Sequence, residues 1–240
     1  MTGTALITGA AKRIGHALAL HLAKSGWDIA IHYNMSRAEA EETAAAIRAT
    51  GHKAYLVQAD LMNAEAIQNL IPSLTATERP LTALVNNASL FERDENDPGG
   101  RRHRQINFTA PILLAEQLLK YLPPGETGCV VNILDATPAP NFLSAYAKSK
   151  NVLREATLEM SRRMAPRVRV NALALGPVMK SSRQSPEHFK RMIEATPLGI
   201  EITPEVVAAS VEFLLENPAI TGQILYVDGG AHFSEFPLKK

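Results

Sequence analysis

The chain has 240 residues, 46% hydrophobic and 20% charged, and its 25 Lys and Arg against 24 Asp and Glu leave a net charge of +1. That balance predicts one folded domain with a large core and excludes disorder as the main state. It also gives no global attraction to phosphate backbones or anionic lipid, so neither nucleic acid nor membrane is expected as a partner. The single Cys129 sits in the apolar run Cys129-Val130-Val131 and reads as a buried structural thiol of a reduced, cytoplasmic protein. Met1 leads straight into Thr4-Ala5-Leu6-Ile7, so no export or anchoring signal is expected.

In chain order, the first predicted strand is Ala5–Thr8. It runs into the turn Thr8-Gly9-Ala10-Ala11-Lys12-Arg13-Ile14-Gly15, and a helical stretch follows through Ala17–Ala23. Small residues between a strand and a helix let backbone amides and the positive end of the helix approach a pyrophosphate. Two glycines at this spacing also occur in ordinary tight turns. The second strand, Ile29–Tyr33, ends in His32-Tyr33-Asn34-Met35-Ser36-Arg37 with no acid. A ribose-binding acid is the mark of NAD enzymes at this place, so its absence favours NADPH, with Arg13, Ser36 and Arg37 as partners of the 2′-phosphate. Ser36 and Glu39 have capping-box spacing and predict a helix over Arg37–Thr50 that Gly51 closes.

Strands Ala54–Gln58 and Ala83–Asn86 come next. The polar segment Glu92–Arg104 reads as a solvated loop, its acids offsetting Arg101, Arg102 and Arg104. A long helix begins near Gln105 and stops at Pro123-Pro124-Gly125. After strand Val130–Leu134, Tyr146 and Lys150 are four residues apart at the start of a helix and share one face. A neighbouring ammonium favours the phenolate, which makes the tyrosine a usable proton carrier. Strand Arg167–Ala172, the helix starts Ser185-Pro186-Glu187 and Thr203-Pro204-Glu205, and strand Ile224–Val227 complete the series. The alternation predicts an α/β fold of the Rossmann type, with a doubly wound, parallel seven-stranded sheet covered by helices on both faces, in a single domain over 1–240.

Together these motifs resemble the short-chain dehydrogenase/reductase family over nearly the whole chain. The glycine turn is followed by Asp60 in Ala59-Asp60-Leu61, then Asn86-Asn87-Ala88, Asn107, Tyr146 with Lys150, Asn171 with Gly176, and Val227-Asp228-Gly229-Gly230. Four departures point further. Arg13 stands where most members have the middle glycine, Asp135 where they have the catalytic serine, Ser89 follows Asn-Asn-Ala, and Phe91 comes two residues later. The sequence is similar to the pteridine reductases at these positions.

The resemblance implies NADPH held by Gly9, Arg13, Ile14, Gly15, Tyr33, Asn34, Ser36, Arg37, Asp60, Leu61, Asn87, Ala88, Ser89, Tyr146, Lys150 and Gly176. It implies a pterin met by Arg13, Ser89, Phe91, Asp135 and Tyr146, and catalysis by Asp135, Tyr146 and Lys150, with Asn107 holding a relay water. No metal is expected. A flat heteroaromatic ring stacks well on Phe91, while polar side chains meet its nitrogens, carbonyl and amino group. Residues 179–203 are expected to form a substrate lid, and Val227-Asp228-Gly229-Gly230 with the following Ala231–Lys240 to join the interface of a homotetramer. Asp135 precedes Tyr146 by eleven residues, a shorter connection than the family usually has, and Met35 replaces a phosphate-binding arginine. Another carbonyl, such as a 3-oxoacyl thioester or a small ketone, is the alternative substrate class.

Overall fold

The computed structural model describes residues 3–136, 144–181 and 184–233. Seven strands, β1 (Thr4–Ile7), β2 (Asp28–Tyr33), β3 (Ala54–Gln58), β4 (Leu81–Asn86), β5 (Gly128–Asp135), β6 (Val168–Leu175) and β7 (Ile224–Val227), form one sheet in the order β3-β2-β1-β4-β5-β6-β7. Every pairing is parallel. The helices are α1 (Arg13–Lys24), α2 (Arg37–Arg48), α3 (Ala64–Leu70), α4 (Arg101–Arg104), α5 (Ala110–Tyr121), α6 (Ala145–Arg163), α7 (Pro186–Glu194) and α8 (Pro204–Glu216), with a π-helical turn over Gln105–Thr109.

Both sheet faces are apolar because each strand alternates between two cores. Ala5 and Ile7 of β1, Val85 of β4 and Val131 of β5 pack with α1, α2 and α8 on one face, while Leu6, Leu84 and Val130 pack with α3, α5 and α6 on the other. This two-sided burial is what a parallel sheet requires. The strand order reverses between β1 and β4, which opens a crevice at their carboxyl ends, the usual ligand position in such sheets. Cys129 is buried as expected, and burial pushes its thiol up to about 11, so it is inert.

Several sequence expectations are corrected. Ser36 makes no side-chain cap bond, because Glu39 pairs with Lys12 across to the glycine turn instead of reaching back. The fifth and sixth strands extend further than expected, and Asp135 is the last residue of β5, paired with Leu175. The long helix starts at Arg101 rather than near Gln105, and the polar segment before it is not simply solvated. Asp97 and His103 are buried within it, joined by Nδ1 and Oδ2 at 2.6 Å, and the Asp97 carboxylate also accepts from the Arg102 and His103 amides. The expected lid is described except at 182 and 183. It carries α7, with Ser185 capping the His188 amide. Most of the connection 136–143 and of the C-terminal segment 231–240 lies outside the described residues.

Candidate active site

The carboxyl end of β1 and the start of α1 build the first half of the site. The Thr8 hydroxyl accepts from the amides of Asn87 and Ala88 at 3.0 and 2.9 Å, and Asn87 Nδ2 donates to the Thr8 carbonyl at 2.8 Å. These bonds tie the turn to the end of β4. Gly9 has a φ of +65°, and a Cβ on Gly15 would run into the Gly9 carbonyl, so both glycines are required by the close passage of the chain. Beside them lies a cavity of about 370 Å³ lined by Gly9, Lys12, Arg13, Ile14, Gly15, Tyr33, Asn34, Ser36, Asn87, Ala88 and Ser89, with Ala11. The free amides at the start of α1 face an anion favourably.

Arg37 does not line this cavity. Its side chain is 76% exposed and pairs with Glu41 one turn along α2. Lys12, passed over in the sequence, supplies a cation at the cavity instead; its place beside Arg13 in the turn was the available signal. Asp60 and Leu61 lie outside it as well, Asp60 accepting from the Met62 amide and Leu61 from Gln105 Nε2. Sequence reasoning also missed His32. It is buried, its Nδ1 accepts from the Gly9 amide at 3.1 Å, and its Nε2 donates to the Ala59 carbonyl at 3.0 Å, so the neutral ring pins the glycine turn to β3.

Burial lowers His32 from 6.5 to about 4, against smaller raising effects of the Ala59 bond and Asp60. The unfolded chain therefore binds this proton first. Stability from His32 is complete above pH 6.5 and declines as pH falls toward 4, by about 2 kcal/mol at pH 5. Urea unfolding at pH 7 and pH 5 should show that loss in the native chain and lack it in His32→Gln. Equal pH dependence in both would assign it elsewhere.

The second half lies across β5 and α6. Ser144 caps α6 by accepting from the Ala147 amide, and Asp94 of the polar segment accepts from the Ala145 amide, so the first turn is held from two sides. The Tyr146 hydroxyl donates to Asp135 Oδ2 at 3.2 Å. Lys150, one turn on and buried, donates to the Ile133 carbonyl at 2.9 Å, with Nζ 5.9 Å from the Tyr146 ring centre. The expected sign of the tyrosine shift is reversed. Burial, followed by the charge and bond of Asp135, raises the Tyr146 phenol well above its ordinary value, outweighing the Ser89 contact that lowers it. Burial also brings Lys150 down to about 8, with Asp135 opposing.

Phe91 is 59% exposed and meets Tyr146 edge to face, ring centres 4.7 Å apart, so it is not a core aromatic. The Asn107 side chain, in the π turn, accepts from the Leu90 amide and the Ser89 hydroxyl and donates to the Leu90 carbonyl and the Ser149 hydroxyl. All four bonding positions of that amide are occupied. It orders the segment carrying Ser89 and Phe91.

A cavity of about 340 Å³ joins the two halves, sharing Arg13, Ile14, Asn87 and Ser89 with the first. Phe91, Asp135, Tyr146, Lys150 and Gly176 line it, and Met179, Phe189 and Met192 approach from the lid region. Arg13, at a φ of +56°, donates to the Met179 and Lys180 carbonyls at 3.3 and 3.1 Å. The arrangement offers an anion cradle continuous with a slot that holds an aromatic ring, a phenol, a carboxylate and an ammonium.

A family model described as enoyl-(acyl carrier protein) reductase matches residues 9–232. The crystal structure of FolM alternative dihydrofolate reductase 1 from Brucella canis, complexed with NADP, is 38% identical, with 98% of this chain and 96% of that chain covered at a TM-score of 0.92. A 3-oxoacyl-[acyl-carrier-protein] reductase from a Synechocystis species is 30% identical over 94% of this chain and 95% of its own length. A variant of a Serratia marcescens short-chain dehydrogenase/reductase is 26% identical at a TM-score of 0.86, covering 96% of this chain and 98% of that one. The matched span, the sheet order and the glycine turn followed by Tyr146 and Lys150 make this chain a member of the short-chain dehydrogenase/reductase family of oxidoreductases.

Proposed function

We propose that this protein is an NADPH-dependent reductase that converts dihydropterins to tetrahydropterins. The carrying observation is the exposed Phe91 ring in the same slot as Asp135, Tyr146 and the end of the phosphate cradle. A flat substrate stacks there, and Ser89, Arg13 and Asp135 supply donors and acceptors for its polar edge. The likeness to the Brucella dihydrofolate reductase supports a substrate with a pterin ring.

The residues present fit the cofactor. Gly9 and Gly15 allow the backbone to pass close to a pyrophosphate, Lys12 and Arg13 supply positive charge, and Tyr33, Asn34 and Ser36 bring no acid to the cavity to repel a 2′-phosphate. NADPH, when bound, supplies the hydride. Tyr146, held neutral, gives its proton to a ring nitrogen of the substrate, and the phenolate left behind faces the Lys150 ammonium. Asp135 holds the hydroxyl in place beforehand, and the main chain around Asn107 holds the water that returns the proton. Residues 179–203 close over the slot and exclude water.

We further propose a cytoplasmic homotetramer in which the exposed Val206, Phe213 and Leu225 of α8 and β7 meet a second copy. The test of substrate class is turnover with 7,8-dihydropterins of different side chains, dihydrofolate, a 3-oxoacyl thioester and small ketones, each with NADPH and NADH. Turnover of pterins with NADPH supports the reading. Preference for the thioester, the activity named for the Synechocystis relative, would replace it.

A further inference from the structure

We propose that Arg154 is a positioning residue that fixes Asp135 within reach of Tyr146 by fastening the end of β5 to the edge strand β7. This rests on the reading that Asp135 works with Tyr146. Tyr146, Lys150 and Arg154 follow one another at four-residue intervals along one face of α6. The first two face the slot. Arg154 reaches past its rim, where Nη2 donates to the Asp135 main-chain carbonyl at 3.0 Å and Nη1 donates to the Tyr226 hydroxyl at 2.8 Å.

The far anchor is itself held. The Tyr226 ring stacks on His232 with centres 4.1 Å apart, and both Nδ1 and the amide of His232 donate to Asp228 Oδ2 at 2.7 Å. Asp228 Oδ1 accepts from the Gly230 amide at 2.9 Å. The Arg154 guanidinium also lies 5.5 Å from the Tyr226 ring centre, close enough for attraction to its face.

Asp135 is where such a hold matters. It is the last strand residue, and its side chain must stay within bonding distance of a hydroxyl carried by a different element. The peptide that joins Asp135 to Ala136 is held from both sides: its amide donates to the Leu175 carbonyl at 2.9 Å, which leaves its carbonyl as the end that Arg154 secures. Arg154 fixes the Asp135 carbonyl. A planar guanidinium bridges two acceptors in a set geometry, which the single ammonium of lysine does not do.

The test is a double-mutant cycle on the full chain, measuring kcat and KM with a dihydropterin, the dissociation constant of NADPH, and Tm. Arg154→Ala should lower kcat about tenfold, since small displacements of a reacting geometry have effects of that order or larger. NADPH affinity should stay within about twofold, because the cradle lies elsewhere. Arg154→Lys, keeping one bond, should fall between. In an Asp135→Asn background, where the carboxylate is already gone, adding Arg154→Ala should change kcat by less than about twofold.

Tyr226→Phe removes only the far acceptor and keeps the ring stack. It should give a smaller loss that likewise vanishes in Asp135→Asn, and it carries the test if Arg154→Ala does not fold. Unchanged kcat in both Arg154→Ala and Tyr226→Phe, or full losses persisting in Asp135→Asn, would overturn the positioning role while leaving Asp135 catalytic. An Asp135→Asn variant with undiminished kcat would overturn both that reading and this proposal.

Discussion

Tyr146→Phe is expected to lower kcat about 10³-fold while leaving NADPH affinity within about twofold, the loss being that of a positioned proton donor. Burial and Asp135 keep the phenol neutral at physiological pH, and its bond to Asp135 fixes its place in the slot. Phenylalanine preserves the ring and its contact with Phe91 and removes only the hydroxyl. On the proposed reading NADPH is held chiefly in the cradle between β1 and α1, whose lining does not include Tyr146. Steady-state kinetics with NADPH titration by fluorescence separate the two effects, and unchanged turnover would sink the mechanism. The native enzyme should also lose turnover as pH rises through about 8, where Lys150 gives up its proton and the phenolate loses its counter-charge.

The second large effect belongs to Phe91. Phe91→Ala should raise KM for dihydropterins roughly 30-fold, from the lost stacking and apolar contact together worth about 2 kcal/mol. KM for NADPH should move little. Because the ring is more than half exposed, melting temperature should also change little, which is opposite to the result for a core aromatic. Equal rises in both Michaelis constants with a marked loss of stability would return Phe91 to a packing role.

The strands and the glycine turn were legible because their signals are local: short apolar runs, and small residues where the chain passes close to itself. Tyr146 and Lys150 were legible as a pair because helical spacing fixes which face they share. What escaped depends on distant neighbours. Lys12 lines the cavity and pairs with Glu39, a contact that exists only because α2 docks beside the glycine turn, whereas the Arg37–Glu41 pair is local to α2. Asp97 and His103 lie in the most polar stretch of the chain, where composition argues for solvent, yet their mutual bond lets both be buried. The sign of the Tyr146 shift followed the same pattern: spacing gives the nearby ammonium, but burial and the Asp135 charge come from β5 and outweigh it.

Arg13 is the one non-glycine among the described residues with a positive φ, in a conformation that costs an L side chain about 1 kcal/mol. The bonds to the Met179 and Lys180 carbonyls offset that cost within the fold, so glycine at this position would shed the strain and the bonds together. Selection for heat resistance alone would therefore leave position 13 free to drift between arginine and glycine. Persistence of arginine there under selection for turnover would mark a use of the side chain beyond the fold.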